Sequence, residues 1–269
     1  MSVRTSHRQR LRSRREVALG LGALALALAV AGVAGWAWWS HRGEGLDARL
    51  CPRSGPTGQL VLLVDKTDPL TFTQKQAFQQ RLRDLVTRRT PPGTLLSVFV
   101  LGETFEATAR PLVELCNPGD GRGASELTAN PARLRRQYDE RFLAPLMGEV
   151  DALESSAPAH RSPILEMLQL VGINGFAAQD VQGPRRLVVM SDLLHNTPEL
   201  SMYRGIPDFE AYARTDYGVK TQARLAGVEV ELDVLMNTPA LQTRRLVQFW
   251  EPWFARAGAH VVRVEPIEG

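Results

Sequence analysis

Cysteine is nearly absent from this chain, with Cys51 and Cys116 the only two in 269 residues. At most one intrachain bridge can form: a disulfide in an oxidising compartment, or two unrelated thiols in the cytosol. Positive charge is scarce outside the first sixteen residues. The formal net charge of +3 is carried by Arg4, Arg8, Arg10, Arg12, Arg14 and Arg15, and setting these aside with Glu16 leaves 26 of the 32 basic and 28 of the 29 acidic residues. The body is therefore slightly acidic, which excludes a basic nucleic-acid-binding surface. There is no internal repeat and no low-complexity tract beyond the arginine-rich start. No P-loop is present, since "GDGRG" at 119–123 lacks the required lysine, and no Ser-His-Asp order stands out. A hydrophobic content of 44% with 23% charged residues is that of an ordinary globular chain rather than a disordered one.

Charge is missing altogether from residues 17–39, VALGLGALALALAVAGVAGWAWW. As a helix rising ~1.5 Å per residue this run is roughly 34 Å long, enough to cross a bilayer core. A cleavable signal peptide has a shorter apolar core, and Trp36, Trp38 and Trp39 stand where an aromatic belt belongs, so an uncleaved anchor is expected. The arginine-rich residues 1–16 then stay in the cytoplasm. Residues 40–58 form a linker rich in Gly, Pro and charge, and 59–267 form the extracytoplasmic domain. The Ala- and Arg-rich composition points to a bacterial inner membrane, crossed once, with the domain in the periplasm.

Strand and helix signals alternate through that domain. "QLVLLVD" at 59–65 reads as a buried strand. A helix follows over about 73–89, with Phe78, Leu82, Leu85 and Val86 on one face, stopped by Pro91-Pro92-Gly93. A second apolar run, 95–101, leads through a connection too short for a crossover helix to a strand near 109–115, so these two are expected to be antiparallel. Further helices are expected from Pro131 (Leu134, Tyr138, Phe142, Leu146, Val150, with a kink at Pro145), from a Ser162-Pro163 cap, over 208–225 and over 239–257. Strands are expected at 186–192, at the alternating "VEVELDVLM" (228–236), which lies toward the side of the sheet, and at "AHVVRVE" (259–265). The fold class is α/β: a doubly wound, mainly parallel sheet with one antiparallel edge strand.

In such a sheet, ligands bind beyond the carboxyl ends of the strands, where strand order reverses. The first strand ends there on Asp65, with Thr67 close behind. Ser162 opens a helix at that edge, and Ser191-Asp192 ends the later central strand. Carboxylates and hydroxyls are hard oxygen ligands, suited to Mg²⁺ or Mn²⁺ with water completing the shell. Each residue also has an ordinary structural reading, since acids at strand ends bond loop amides and Ser162 is a good helix cap. His195 and Asn196 either face the same cleft or sit in a solvated loop, and Asp68 reads as an exposed turn acid.

"DKTDP" (65–69), "RSPILEML" (161–168) and "LVVMSD" (187–192) resemble the three pieces of the metal-ion-dependent adhesion site of von Willebrand factor A (VWA) domains, in the family's order. The resemblance covers about 59–265. It implies a VWA/Rossmann-like fold, a divalent cation held by Asp65, Thr67, Ser162 and Asp192, and a protein partner rather than a reaction. Pro69 departs from the pattern: it replaces the family's second serine and has neither hydroxyl nor N–H, and Thr71 could stand in only if the loop were reshaped. A metal-assisted phosphohydrolase using Asp65 is the competing reading, although Thr67 occupies the second position of the Asp-x-Asp that such enzymes need. A scaffold whose metal site has decayed is another. With strand order 3-2-1, Cys51 and Cys116 both fall at the edge opposite the site, close enough for a bridge closing a loop worth ~4 kcal/mol.

Overall fold

Runs of apolar residues that alternate between two buried faces become the strands of a six-stranded sheet. The computed structural model describes residues 20–36, 45–103, 110–122, 130–151, 159–179 and 181–268, and the chain divides into one unit at 1–45 and another at 46–269.

In the first unit, residues 20–36 form an exposed helix, α1. Among the described residues no helix is long and apolar enough to cross a membrane. The ends of the expected span, 17–19 and 37–39, lie outside the described residues, as do the tail 1–16 and linker positions 40–44.

In the second unit, β1 (Gly58–Asp65), β2 (Thr94–Leu101), β3 (Val113–Cys116), β4 (Arg185–Ser191), β5 (Val228–Leu235) and β6 (His260–Ile267) lie in the order β3-β2-β1-β4-β5-β6. All pairs are parallel except β2–β3. This is the doubly wound α/β, VWA/Rossmann-like fold, with its antiparallel strand at one edge. Period-2 alternation sorts β1 between two cores. Leu60, Leu62 and Val64 pack with α2 (Phe72–Arg88) and the α3–α4 helix, while Val61 and Leu63 pack with α5 (Ile164–Leu170) and the residues around α8 (Arg244–Arg256).

The helix expected from Pro131 runs as α3 (Pro131–Tyr138), a π-helical turn (Asp139–Leu143) and α4 (Ala144–Asp151). Apolar residues spaced by four drift around a helix of 3.6 residues per turn. The wider π turn cancels the drift, so Tyr138, Phe142 and Leu146 all stay buried. The helix expected over 208–225 is two short ones, α6 (Phe209–Ala213) and α7 (Asp216–Lys220), because Thr215 caps the second through the Gly218 N–H. On β5 the polar face is solvated only at Glu229. Glu231 and Asp233 are buried, and Arg263 of β6 reaches both while Arg89 reaches Glu231. Burial alone would raise the Glu231 carboxyl, but the Arg89 and Arg263 hydrogen bonds outweigh it and hold the pKa below its ordinary value.

Cys51 and Cys116 are joined, with S–S 2.06 Å and Cα–Cα 4.8 Å. The bridge ties the segment before β1 to the end of β3. Around it, Asp47 accepts from the Arg49 and Cys51 N–H groups, and the Cys116 N–H donates to the Arg49 carbonyl.

Candidate functional site

β1 and β4 are central neighbours, and connections leave them in opposite directions across the sheet, which opens the crevice at their carboxyl ends. β1 delivers Asp65 to this crevice and β4 delivers Ser191 and Asp192. Asp65 Oδ1 accepts from the Thr67 N–H at 2.9 Å and from Thr67 Oγ1 at 2.7 Å. Its Oδ2 accepts from Ser191 Oγ at 2.6 Å and from Ser162 Oγ at 3.4 Å. Asp192 Oδ1 accepts from the Leu194 N–H at 2.9 Å, and Oδ2 from the Tyr203 hydroxyl at 3.1 Å. Both acids are nearly sealed, at 5% and 3% exposure respectively.

Burial pushes the Asp65 carboxyl upward, against the lowering effect of the Ser191 and Thr67 hydrogen bonds. Asp192 is raised to about 8, by burial first and the charge of Asp65 second. Among the described residues neither acid has a cationic partner. Two carboxylates with the hydroxyls of Thr67, Ser162 and Ser191 form a hard-oxygen donor set, and its chemistry fits Mg²⁺ or Mn²⁺. Among the described residues no group of three or more His, Cys, Asp or Glu could hold a metal ion, so a cation here would depend on hydroxyls and water.

The other expected neighbours are placed differently. Thr71 does not reach Asp65; it caps α2 in a capping box, its hydroxyl accepting from the Gln74 N–H at 3.2 Å while Gln74 Oε1 accepts from the Thr71 N–H at 3.0 Å. Ser162 is not a helix cap. Helix α5 starts at Ile164, and Ser162 is held instead by a two-way backbone bridge to Asn196, which frees its hydroxyl for Asp65. His195 is neither in the crevice nor solvated. It is wholly buried behind α5, where its Nδ1 accepts from the Leu165 N–H at 3.4 Å. That assigns the proton to Nε2, which donates to the Tyr217 hydroxyl at 2.9 Å, and this hydroxyl donates to Glu166 Oε1 at 2.5 Å. His195 thus caps the α5 end that positions Ser162, a contact invisible in the sequence because 30 residues separate the partners. Tyr203 and Gln242, whose Nε2 donates to the Asp192 carbonyl at 2.9 Å, also carry no sequence signal.

Burial lowers the His195 pKa to about 3, against ~6.5 in the unfolded chain. Below pH ~6.5 the unfolded state takes up a proton that the folded state refuses, so stability is lost as pH falls, by ~1.4 kcal/mol per unit until about pH 3. Comparing the wild type with His195→Gln in urea, the wild type should lose ~3 kcal/mol relative to the variant between pH 6.5 and 4.5. Identical pH dependence in the two proteins would overturn this assignment.

A cleft of about 510 Å³ lies away from these acids, between α2 and the end of β6. Several of its charges are paired with one another, Arg81 with Glu265 and Arg88 with Asp84, so the buried carboxylate pair is the better candidate site.

No family model matches the sequence, and neither does any curated protein. Among solved structures, the chain is similar to an aerotolerance-related membrane protein from Bacteroides fragilis, at TM-score 0.37 and 9% identity over 78% of this chain and 90% of that one. It is also similar to the human COPII-coat protein Sec24c, at TM-score 0.36 and 9% identity, spanning 80% of this chain and 30% of that protein.

Proposed function

We propose that the chain is a membrane-anchored, extracytoplasmic binding module. In this reading residues 17–39 are its anchor, the unit at 46–269 binds another protein, and no reaction is catalysed. The observation that carries it is the sealed acid pair at the carboxyl ends of β1 and β4, both acids held above their ordinary pKa. Asp65, Thr67, Ser162 and Asp192 would hold Mg²⁺ or Mn²⁺, with Ser191 orienting Asp65. A cation bound there supplies an open coordination position for an acidic side chain of the partner. A phosphohydrolase is disfavoured, because Thr67 stands where such an enzyme needs a second carboxylate after the first strand.

Titrating the full chain in detergent with Mg²⁺ and Mn²⁺ by calorimetry, beside Asp65→Ala and Asp192→Ala, tests the proposal. Saturable binding that is lost in both variants supports it. The absence of binding in a folded wild type favours a second reading, a scaffold without a cation. That reading is suggested by the way the Thr67, Ser162 and Ser191 hydroxyls already satisfy Asp65 and by Pro69 in place of a hydroxyl.

A further inference from the structure

β6 is an edge strand, and among the described residues nothing pairs with its outer side. The Ile267 carbonyl accepts from the Met236 N–H, which turns Ile267 toward β5. Alternation along the strand then turns Arg263 and Glu265 inward and leaves the N–H and carbonyl of Val264 pointing outward. Pro266 also points outward, where its missing N–H orphans nothing. A register shift between Val230 and Glu231 of β5 gives β6 an extra residue at Val262, and the stretch of the free edge from there covers residues 262–266.

That edge reads Val-Arg-Val-Glu-Pro. Laid antiparallel on a copy of itself about Val264, it places Val264 opposite Val264, Arg263 opposite Glu265, and Val262 opposite Pro266. One face of the pair is then apolar throughout, and the other carries two opposite-charge pairs, the arrangement that stabilises neighbouring strands. Val262 and Val264 are 56% and 37% exposed, unusually open for valine in a sheet. Arg263 pairs within its own chain with Glu231, Asp233 and Glu265, and Glu265 also with Arg81, so across the axis the opposite charges would extend an existing network, with the Glu265 side chain 43% exposed.

We propose that two copies of this chain associate through antiparallel β6–β6 pairing centred on Val264, joining their sheets across a two-fold axis. The occupant is a second copy because the charge pattern is complementary to its own reverse. The bulge at Val262 and the ring of Pro266 end the ladder on either side, so the pairing closes at two chains and does not propagate. The cation site takes no part, and the proposal stands independently of it.

The two cysteines of the wild type are bridged to each other, so a single introduced cysteine is the only free thiol. In the paired geometry the two Val264 Cα atoms are ~5.5 Å apart, within the range for a disulfide, whereas the two Val262 atoms are separated by four positions, roughly 13 Å. Mild oxidation of the full chain in detergent should convert Val264→Cys to a covalent dimer at least ~10-fold faster than Val262→Cys. Val264→Lys, at an exposed position and with its fold checked by circular dichroism, should remove the concentration-dependent dimer in sedimentation. Equal cross-linking at 262 and 264, as association through α1 alone would give, overturns the proposal, and so does a dimer population unchanged by Val264→Lys.

Discussion

Reducing the Cys51–Cys116 bridge should lower the thermal midpoint by roughly 10 °C, which corresponds to a loss of about 4 kcal/mol in a unit of this size. The two cysteines are 65 positions apart, and closing so long a loop removes much of the conformational freedom of the unfolded chain. The folded side should change little. Leu50 stays buried beside Leu60 and Leu62, and the hydrogen bonds of Asp47 and Arg49 hold the strap in place without the bridge. The effect should therefore appear as a shift of midpoint, with circular dichroism of the folded state unchanged. Cys51→Ser with Cys116→Ser should match the reduced wild type. An unaltered midpoint in a sample shown to contain two free thiols would refute the loop-closure account.

Asp192→Asn should stabilise the cation-free protein and, if the proposed function holds, abolish cation binding. The folded-state pKa of Asp192 is about 8, above the ~3.9 of an unfolded aspartate. Between these values the folded state holds a proton that the unfolded state releases. Stability is consequently greatest near the lower value and is lost as pH rises toward the upper one, by an amount on the order of 4 kcal/mol at pH 7 relative to pH 4. Asparagine imitates the protonated acid: its carbonyl can accept from the Leu194 N–H, and its amide can donate to the Tyr203 oxygen. Urea denaturation at pH 5 and pH 8 should show the variant gaining on the wild type by ~3 kcal/mol across the interval. A constant gap would show that Asp192 is already ionised at pH 5. If the proposed function holds, saturating Mg²⁺ narrows the gap by stabilising the wild type alone.

Much of the fold is legible because its signals are local. The five apolar residues ahead of Asp65, the Pro-Pro-Gly stop after α2 and the short connection from β2 to β3 each fix an element or an orientation without help from distant residues. Asp65 and Asp192 are visible as candidates for the same reason, since each interrupts an apolar strand at its end. What local reading misplaces is whatever tertiary contact decides. Ser162 before a proline has the form of a helix cap, yet its backbone is taken by Asn196, across a loop. Asp208–Leu225 has helical spacing throughout, but the hydroxyl of Thr215 terminates one turn and starts another. The alternation of β5 reports a polar face correctly and says nothing of the arginines that cover it. Tyr203, which supplies the hydroxyl bound to Asp192, sits in a single 3-10 turn, Met202–Arg204, too short to have a periodicity that marks it.

The strap and the crevice lie at opposite ends of the same strands. Cys51 meets Cys116 beside Leu95, near the start of β2, whereas Asp65 and Asp192 stand at the far ends of β1 and β4, one strand length or ~25 Å away. If the proposed function holds, a partner gripping the crevice while the strap is held at Cys51 would pull the sheet lengthwise. β1, clasped on both sides by parallel strands, would be loaded in shear, so that its hydrogen bonds resist together instead of opening one after another. The disulfide would divert part of the tension into β3 before it reaches β1. Load applied along the strands would thus meet the sheet in the direction in which its parallel ladders resist together.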